Sequence, residues 1–156
     1  MTGPSRASPG VRSARLDQLS ATELHGLLRL RIDVFVVEQH CPYPELDGRD
    51  TDPDTLHLWT ADDSGSPTAY LRVLAEADGS VRIGRVCTRA DRRGGGLAAQ
   101  LMGHVLQQNE EHRVVLDAQS HLRGWYERFG FTASGPEFIE DGIPHTPMAR
   151  GQSPSR

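Results

Sequence analysis

The sequence contains no lysine, so arginine supplies all 17 of its basic residues. The absence of lysine excludes Schiff-base catalysis and the phosphate-binding lysine of a Walker loop. Cysteine is also scarce: Cys41 and Cys87 cannot form a disulfide framework, and they suggest a reducing compartment. No apolar run approaches the roughly 18 residues that cross a bilayer, and residues 1–11 lack the apolar stretch of a secretory signal. These absences predict a cytoplasmic protein without a membrane partner.

Neither sign of charge is in large excess. The net charge of -4 over 156 residues gives no general basic surface for nucleic acid. The length fits one domain, and contents of 37% hydrophobic and 24% charged residues fit a globular core. The Ser-, Pro- and Gly-rich ends predict disordered tails over 1–13 and 151–156 around a domain over 14–150.

Hydrophobic periodicity predicts helices and short strands. Ser20 and Glu23 form a capping box at the start of the first helix, and an acidic loop over 38–54 follows this helix. The predicted helices cover 21–36, 97–108 and 119–129, and the predicted strands cover 56–61, 68–75, 81–88, 114–116, 137–139 and 147–149. This order predicts an α/β (α+β) fold, in which a mixed, mostly antiparallel sheet of about six to seven strands carries helices on both faces.

Three successive glycines, Gly94–Gly96, lie between a predicted strand and a predicted helix. The amides of a first helical turn are unpaired and carry positive potential, so the segment suits a pyrophosphate, with Arg92 and Arg93 beside it. The pattern Gly94-x-Gly96-x-x-Ala99 also fits a Rossmann fingerprint. A dinucleotide site is less favoured, because five residues separate the glycines from the strand and the preceding strands form antiparallel hairpins.

Two motifs resemble those of the GNAT acetyltransferase superfamily. Arg93-x-x-Gly96-x-Ala98 resembles its motif A. A helix that carries Tyr126 and ends in Gly130-Phe131 resembles its motif B. Within the superfamily, the chain is most similar to ElaA-like proteins, through residues 30–43, Asp47-Gly48, His57, 84–86 and 140–145.

The resemblance implies the GNAT fold and transfer of an acetyl group from acetyl-CoA to a primary amine of a small molecule or peptide. Many members pair as homodimers, although no stripe of this sequence demands a dimer. The glycine loop would hold the CoA pyrophosphate, and the strand end at 86–88 would pair with the pantetheine arm and polarise the thioester carbonyl. The implied CoA contacts are Val86, Cys87, Thr88, Arg92, Arg93, Gly94, Gly95, Gly96, Leu97, Ala98, Gln119 and Tyr126.

Tyr126 is the implied general acid, which protonates the CoA thiolate as it leaves. Without the motif, Tyr126 would be interpreted as a core aromatic beside Trp125. Cys87 could instead form an acyl-cysteine, although a free cysteine is more often a small buried residue. An alternative without turnover is a CoA-binding sensory or interaction module.

The base that deprotonates the acceptor stays open among Glu38, His57 and His145. Each also has a structural interpretation: Glu38 as a partner of Arg31 or Arg85, His57 as a half-buried strand residue, and His145 as an anchor of the last hairpin. The acidic loop suits a cationic amine, but a solvated loop explains it equally well. No C-x-x-C or H-E-x-x-H pattern predicts a metal site. The predicted acceptor contacts are Glu38, Asp47, Asp50, Arg85, Asp141 and His145.

Overall fold

The computed structural model describes residues 10–151. The strands are β1 (Arg12–Ala14), β2 (Leu56–Ala61), β3 (Pro67–Ala75), β4 (Val81–Thr88), β5 (Val114–Gln119), β6 (Thr132–Ala133), β7 (Phe138–Glu140) and β8 (Ile143–Arg150). The helices are α1 (Ala21–Ile32), α2 (Leu97–Gln108) and α3 (Arg123–Glu127), and a π-helical turn (Asp33–Glu38) directly follows α1. Short 3-10 turns cover Leu16–Gln18, Arg49–Thr51, Ala90–Arg92 and Ser120–Leu122.

The eight strands form one sheet in the order β1-β2-β3-β4-β5-β8-β6, and β7 pairs with β8. Every pairing is antiparallel except that of β4 with β5. The mixed, mostly antiparallel sheet is therefore confirmed. It has more strands than the sequence predicts, because β1 and β6 are only three and two residues long and have no periodicity of their own.

Helices cover both faces of the sheet, as expected. Side chains alternate along a strand, so neighbouring residues of β3 belong to different cores. Leu71 packs in a cluster with Leu101 of α2, whereas Tyr70 packs with Leu27 of α1. Within the described residues, no helix is long and apolar enough to cross a bilayer.

The prediction of a disordered tail over 1–13 is wrong at its C-terminal end. Val11 is fully buried, and β1 pairs with β2 from Arg12 to Ala14. Packing and pairing with distant residues order this segment, and a local composition rule cannot detect them. The remainder of the predicted tails, residues 1–9 and 152–156, lies outside the described residues.

The first predicted helix is confirmed, and its end has an unusual form. The hydroxyl of Ser20 accepts the Glu23 N–H at 3.0 Å, and the Glu23 carboxylate accepts the Ser20 N–H at 2.9 Å. After Ile32 the backbone widens into the π-helical turn, which carries the chain to Glu38. π-Helical turns are rare and occur frequently at functional sites.

The predicted helix over 119–129 is largely wrong. β5 extends to Gln119, because its pairing with β8 continues as far as His145. A 3-10 turn follows, and α3 covers only Arg123–Glu127. Gly130, with φ 90°, marks the turn after this helix, as the sequence predicts.

An opening between β4 and β5 positions the functional site. The two parallel strands pair only at Val81 with Val114 and at Arg82 with Val115. Beyond these pairs they diverge, while β5 stays paired with β8 along its whole length. The far end of β4 therefore has free backbone groups on the side that faces β5.

Candidate active site

A cavity of about 760 Å³ fills the opening between the diverging strands. The end of β4, the π-helical turn, α3 and the β7–β8 turn all contribute to its wall. It brings together most of the residues that the sequence predicts for catalysis and acceptor binding. The predicted residues that line it are Glu38, Asp47, Arg85, Val86, Cys87, Thr88, Arg93, Gln119, Tyr126, Asp141 and His145.

A β-bulge interrupts β4 inside this cavity. Tyr70 lies opposite Cys87, and Arg72 lies opposite Gly84, so β4 contains one residue more than β3 over this stretch. Arg85, within the bulge, has a left-handed backbone with φ 56°. A bulge leaves its extra residue unpaired in the ladder, which provides a free backbone group beside the cavity.

A second cavity, of about 420 Å³, lies against the glycine loop and the start of α2. Gly94 and Gly96 have φ values of 84° and 80°, a region that residues with a Cβ rarely adopt. Gly96 is the N-cap of α2, so the unpaired amides of the first helical turn follow it. The predicted CoA contacts here are Thr88, Arg92, Gly94, Gly96, Leu97 and Ala98; Gly95 lies in the same loop but lines neither cavity.

Besides Ala99, two residues of the second cavity, Trp125 and Arg128, are not among the CoA contacts predicted from the sequence. Both belong to the segment around α3, which reaches the loop only in the folded chain. Within residues 10–151, no carboxylate pairs with the side chain of Arg92 or Arg128. Their charges are therefore available to an anion such as a phosphate.

Arg93 has a different environment from Arg92, although the two residues are adjacent in sequence. Its Nη1 and Nη2 lie 2.7 and 2.8 Å from the carboxylate oxygens of Glu38, and its Nε donates to the Thr88 carbonyl at 3.1 Å. The sequence suggests Arg31 or Arg85 as the partner of Glu38, and that pairing is wrong. The hydrogen bonds from Arg93 lower the pKa of Glu38, which weakens Glu38 as a base.

Tyr126 lines the main cavity with only 7% of its surface exposed. Its ring makes edge contacts with Trp125 at 4.9 Å and with Phe131 at 6.3 Å between centroids. Burial raises the pKa of Tyr126 to about 12, so the phenol keeps its proton near neutral pH. The residue is thus both part of the aromatic core and a protonated phenol at the cavity wall.

Comparison with known proteins assigns the family. The family model described as the acetyltransferase (GNAT) domain matches residues 23–151. The chain belongs to the GNAT family. It is therefore a CoA-dependent acyltransferase, and its relatives place it among the ElaA-like members.

The ElaA protein of Escherichia coli is 42% identical, over 85% of this chain and 90% of the relative. A UPF0039 protein of Mycobacterium tuberculosis is 46% identical, over 90% and 92%. Among solved structures, an acyl-CoA N-acyltransferase from Pseudomonas aeruginosa is 44% identical with a TM-score of 0.84, over 90% of this chain and 98% of that chain. The E. coli ElaA crystal structure is 37% identical with a TM-score of 0.83, over the same shares.

In this ElaA-like chain, His145 is presented to the main cavity from β8. Its Nδ1 lies 2.8 Å from the Ile143 carbonyl, which can only accept, so a neutral ring carries its proton on Nδ1. Nε2 is then left as an acceptor. The ring stacks on Phe138, with centroids 5.6 Å apart and an interplanar angle of 19°. These contacts fix the orientation of the ring at the cavity wall.

His57 and Asp50 do not line the cavity that the sequence predicts for them. They are 1% and 7% exposed, so His57 is fully buried rather than half-buried. The two His57 ring nitrogens lie 2.6 Å from the Tyr70 hydroxyl and 3.3 Å from the Asp50 carbonyl, and burial lowers its pKa. The Asp50 carboxylate binds Arg31 at 2.9 Å and Arg72 at 3.2 Å. Both residues belong to a buried polar network beneath the site.

Cys87 lines the main cavity but is 5% exposed. Burial raises the pKa of its thiol to about 12. A thiol that stays protonated is a poor nucleophile, which argues against an acyl-cysteine. Within the described residues, no group of three or more His, Cys, Asp or Glu side chains is arranged to hold a metal ion.

Proposed function

We propose that this GNAT protein transfers an acetyl group from acetyl-CoA to a primary amine of a small molecule or peptide by direct attack. The observation that carries the proposal is the neutral phenol of Tyr126 in the wall of the cavity that opens at the β4 bulge. Family membership accounts for acyl transfer from CoA. A proton donor beside the open strand supports departure of the thiolate in a single transfer step.

The second cavity supports a donor site. The amides of the glycine loop and the first turn of α2 would hold the pyrophosphate, with Arg92 and Arg128 contributing positive charge. The backbone groups at 86–88 that β3 and Arg93 leave unpaired would bind the pantetheine arm as an additional strand, which would place the thioester in the main cavity.

The transfer step follows from this placement. The acceptor nitrogen loses a proton to Nε2 of His145 and attacks the thioester carbonyl carbon, whose oxygen accepts a hydrogen bond from the β4 bulge. The C–S bond breaks, and the sulfur takes the phenolic proton of Tyr126. The acceptor nitrogen, which carries an extra proton after the attack, releases that proton to water to give the neutral amide, and Tyr126 regains a proton from water. His145 is preferred to Glu38 as the base because Arg93 already engages both carboxylate oxygens of Glu38.

The charges of the main cavity favour a cationic acceptor. Each arginine that lines it pairs with a carboxylate: Arg49, Arg72, Arg82, Arg85 and Arg93. Glu140 and Asp141 also line the cavity, and no arginine within residues 10–151 pairs with them. The unneutralised charge beside His145 is therefore negative, and it attracts an ammonium group.

The proposal is tested by measuring free CoA thiol over a panel of polyamines, amino acids, aminosugars and peptide N-termini. We expect release with at least one amine and a KM for that amine that rises with ionic strength. Calorimetric binding of CoA without release on any amine would instead support a non-catalytic CoA-binding module. We also propose a cytoplasmic location, where acetyl-CoA is available and the buried free thiols of Cys41 and Cys87 stay reduced.

A further inference from the structure

Glu45, in the loop before β2, is a buried carboxylate with 4% exposure. Two arginines bind it in the same manner, each through Nε to Oε2 and through Nη2 to the backbone carbonyl of Glu45. These distances are 2.6 and 3.3 Å for Arg31, and 3.0 and 3.0 Å for Arg85. One residue thus connects α1, which carries Arg31, to the β4 bulge, which carries Arg85.

Tyr43 completes this arrangement. Its hydroxyl donates to Oε1 of Glu45, and its ring lies 5.5 Å from the guanidinium carbon of Arg85. Burial raises the pKa of Tyr43, which keeps the phenol protonated as a donor. Arg85 is therefore held by a carboxylate, a carbonyl and an aromatic ring. We call Arg31, Tyr43, Glu45 and Arg85 the arginine clasp.

The backbone of Arg85 explains why a clasp is needed. Its φ of 56° is a conformation that arginine rarely adopts, and such a residue persists only when the surrounding contacts hold it. The conformation belongs to the bulge in β4, directly before Val86 at the cavity wall. If Arg85 relaxed to an extended backbone, the free backbone amide of the bulge would point away from the cavity.

The clasp also occupies hydrogen-bond donors of the Arg85 side chain. Its Nε and Nη2 are used by Glu45, and Nη2 lies a further 3.5 Å from Asp47. Two of the three guanidinium nitrogens of Arg85 are thus already paired with the acidic loop.

We propose that the arginine clasp holds the β4 bulge in the shape that aims its free amide at the thioester carbonyl, so that Glu45 and Arg85 are positioning residues for acyl transfer. The inference rests on the proposed function, since it concerns the same carbonyl. It assigns a role to Glu45, which does not line the cavity.

A matched pair of variants separates the effect of the Arg85 backbone conformation from the effect of contacts made by its guanidinium. Arg85→Gly and Arg85→Ala both remove the guanidinium, but only glycine adopts a φ of 56° freely. We expect kcat to fall at least about tenfold in Arg85→Ala, because a misaimed oxyanion donor is costly, with Arg85→Gly retaining several times more. The dissociation constant of CoA should change little in either variant. Equal losses in both variants would overturn the inference and indicate direct contact with the acceptor.

A spectroscopic measurement supplies the second arm. The carbonyl stretch of bound, isotope-labelled acetyl-CoA reports polarisation of the thioester without any acceptor present. The stretch should lie below that of free acetyl-CoA in the wild type and in Arg85→Gly, and closer to the free value in Arg85→Ala and Glu45→Gln. The double variant Glu45→Gln/Arg85→Gly should recover the lowered stretch, because glycine no longer needs the clasp. A Glu45→Gln stretch equal to that of the wild type would overturn the inference.

The two proposals can fail separately. Acetyl-CoA binding without turnover on any amine contradicts the proposed function, while the comparison of carbonyl stretches still decides on the clasp. Turnover in the wild type with no difference between Arg85→Gly and Arg85→Ala contradicts only the clasp. If acetyl-CoA does not bind to the wild type, both proposals are overturned. If Glu45→Gln does not fold, as judged by circular dichroism, the comparison of Arg85→Gly with Arg85→Ala alone tests the role of the clasp.

Discussion

Tyr126→Phe removes one hydroxyl and keeps the ring that packs against Trp125 and Phe131. Folding should therefore be nearly unaffected, while the proton for the leaving thiolate is lost. A positioned general acid contributes roughly 10²–10⁴ in rate, and a thiolate is already a good leaving group, so we expect the lower end of this range. A hundredfold loss in kcat corresponds to about 2.7 kcal/mol of transition-state stabilisation.

The pH dependence sharpens this prediction. A free thiol has a pKa of about 8.5, so the thiolate needs a proton below that pH and less so above it. The ratio of the wild-type kcat to the Tyr126→Phe kcat should be largest at pH 7 and should decrease toward pH 10. The pKa of Tyr126, raised to about 12, means that the wild type itself should not lose its acid in this range.

The assay is CoA thiol release under saturating acetyl-CoA, combined with calorimetric CoA binding. Tyr70→Phe is the control, because Tyr70 is also buried but lines neither cavity. It should lower the melting temperature through the lost contacts of the hydroxyl with His57 and Arg31. We expect kcat to be retained, because Arg31 keeps its hydrogen bonds to Glu45 and Asp50. An unchanged kcat in Tyr126→Phe, or a loss explained entirely by weaker CoA binding, would refute the role of general acid.

Three further variants test other parts of the site. Gly96→Ala forces a Cβ onto a φ of 80°, so the dissociation constant of CoA measured by calorimetry should rise roughly tenfold; unchanged binding would exclude the loop as the pyrophosphate site. His145→Gln should lower kcat by roughly 10² or more with CoA affinity retained, and full activity in steady-state assays would transfer the role of base to another group. Cys87→Ala should keep turnover, because a thiol with a pKa of about 12 is not the nucleophile; an acetylated Cys87 in the intact mass of the wild type would contradict direct attack.

The parts of the fold that can be predicted from sequence are those with local signals. The capping box of Ser20 and Glu23 marks α1, and Asp78-Gly79 marks the turn between β3 and β4. The three glycines mark the turn into α2, although the fingerprint alone also fits a dinucleotide site. The five residues before the glycines, the antiparallel strands before the loop and the Tyr126 helix after it are what favour CoA.

The features that escape prediction depend on contacts between distant residues. Glu38 pairs with Arg93, 55 positions away, and no local pattern selects that partner over Arg31 or Arg85. The burial of His57 depends on Tyr70 and on the acidic loop, which closes over it. In each case the side chain is visible in the sequence, whereas its partner is decided by the tertiary structure.

The β4 bulge is a second case of the same kind. A strand over 81–88 is correctly predicted, but nothing in its composition reveals that Arg85 adopts a left-handed backbone. A glycine would have been the usual signal for that conformation. Here Arg85 takes this conformation in contact with Glu45 and Tyr43 of the acidic loop. The bulge can therefore be recognised only in the folded structure.

The most direct test of the central claim follows the acetyl carbon itself. The protein is incubated with carbonyl-¹³C acetyl-CoA and the amine that gives the fastest thiol release, and the products are observed by ¹³C NMR. Acetyl transfer to nitrogen predicts an amide carbonyl signal that grows in equal amount with free CoA. In Tyr126→Phe, the rate of amide formation should fall by the same factor as the rate of thiol release. Free acetate in place of amide, or bound CoA with no product, would contradict the proposed N-acetyltransferase.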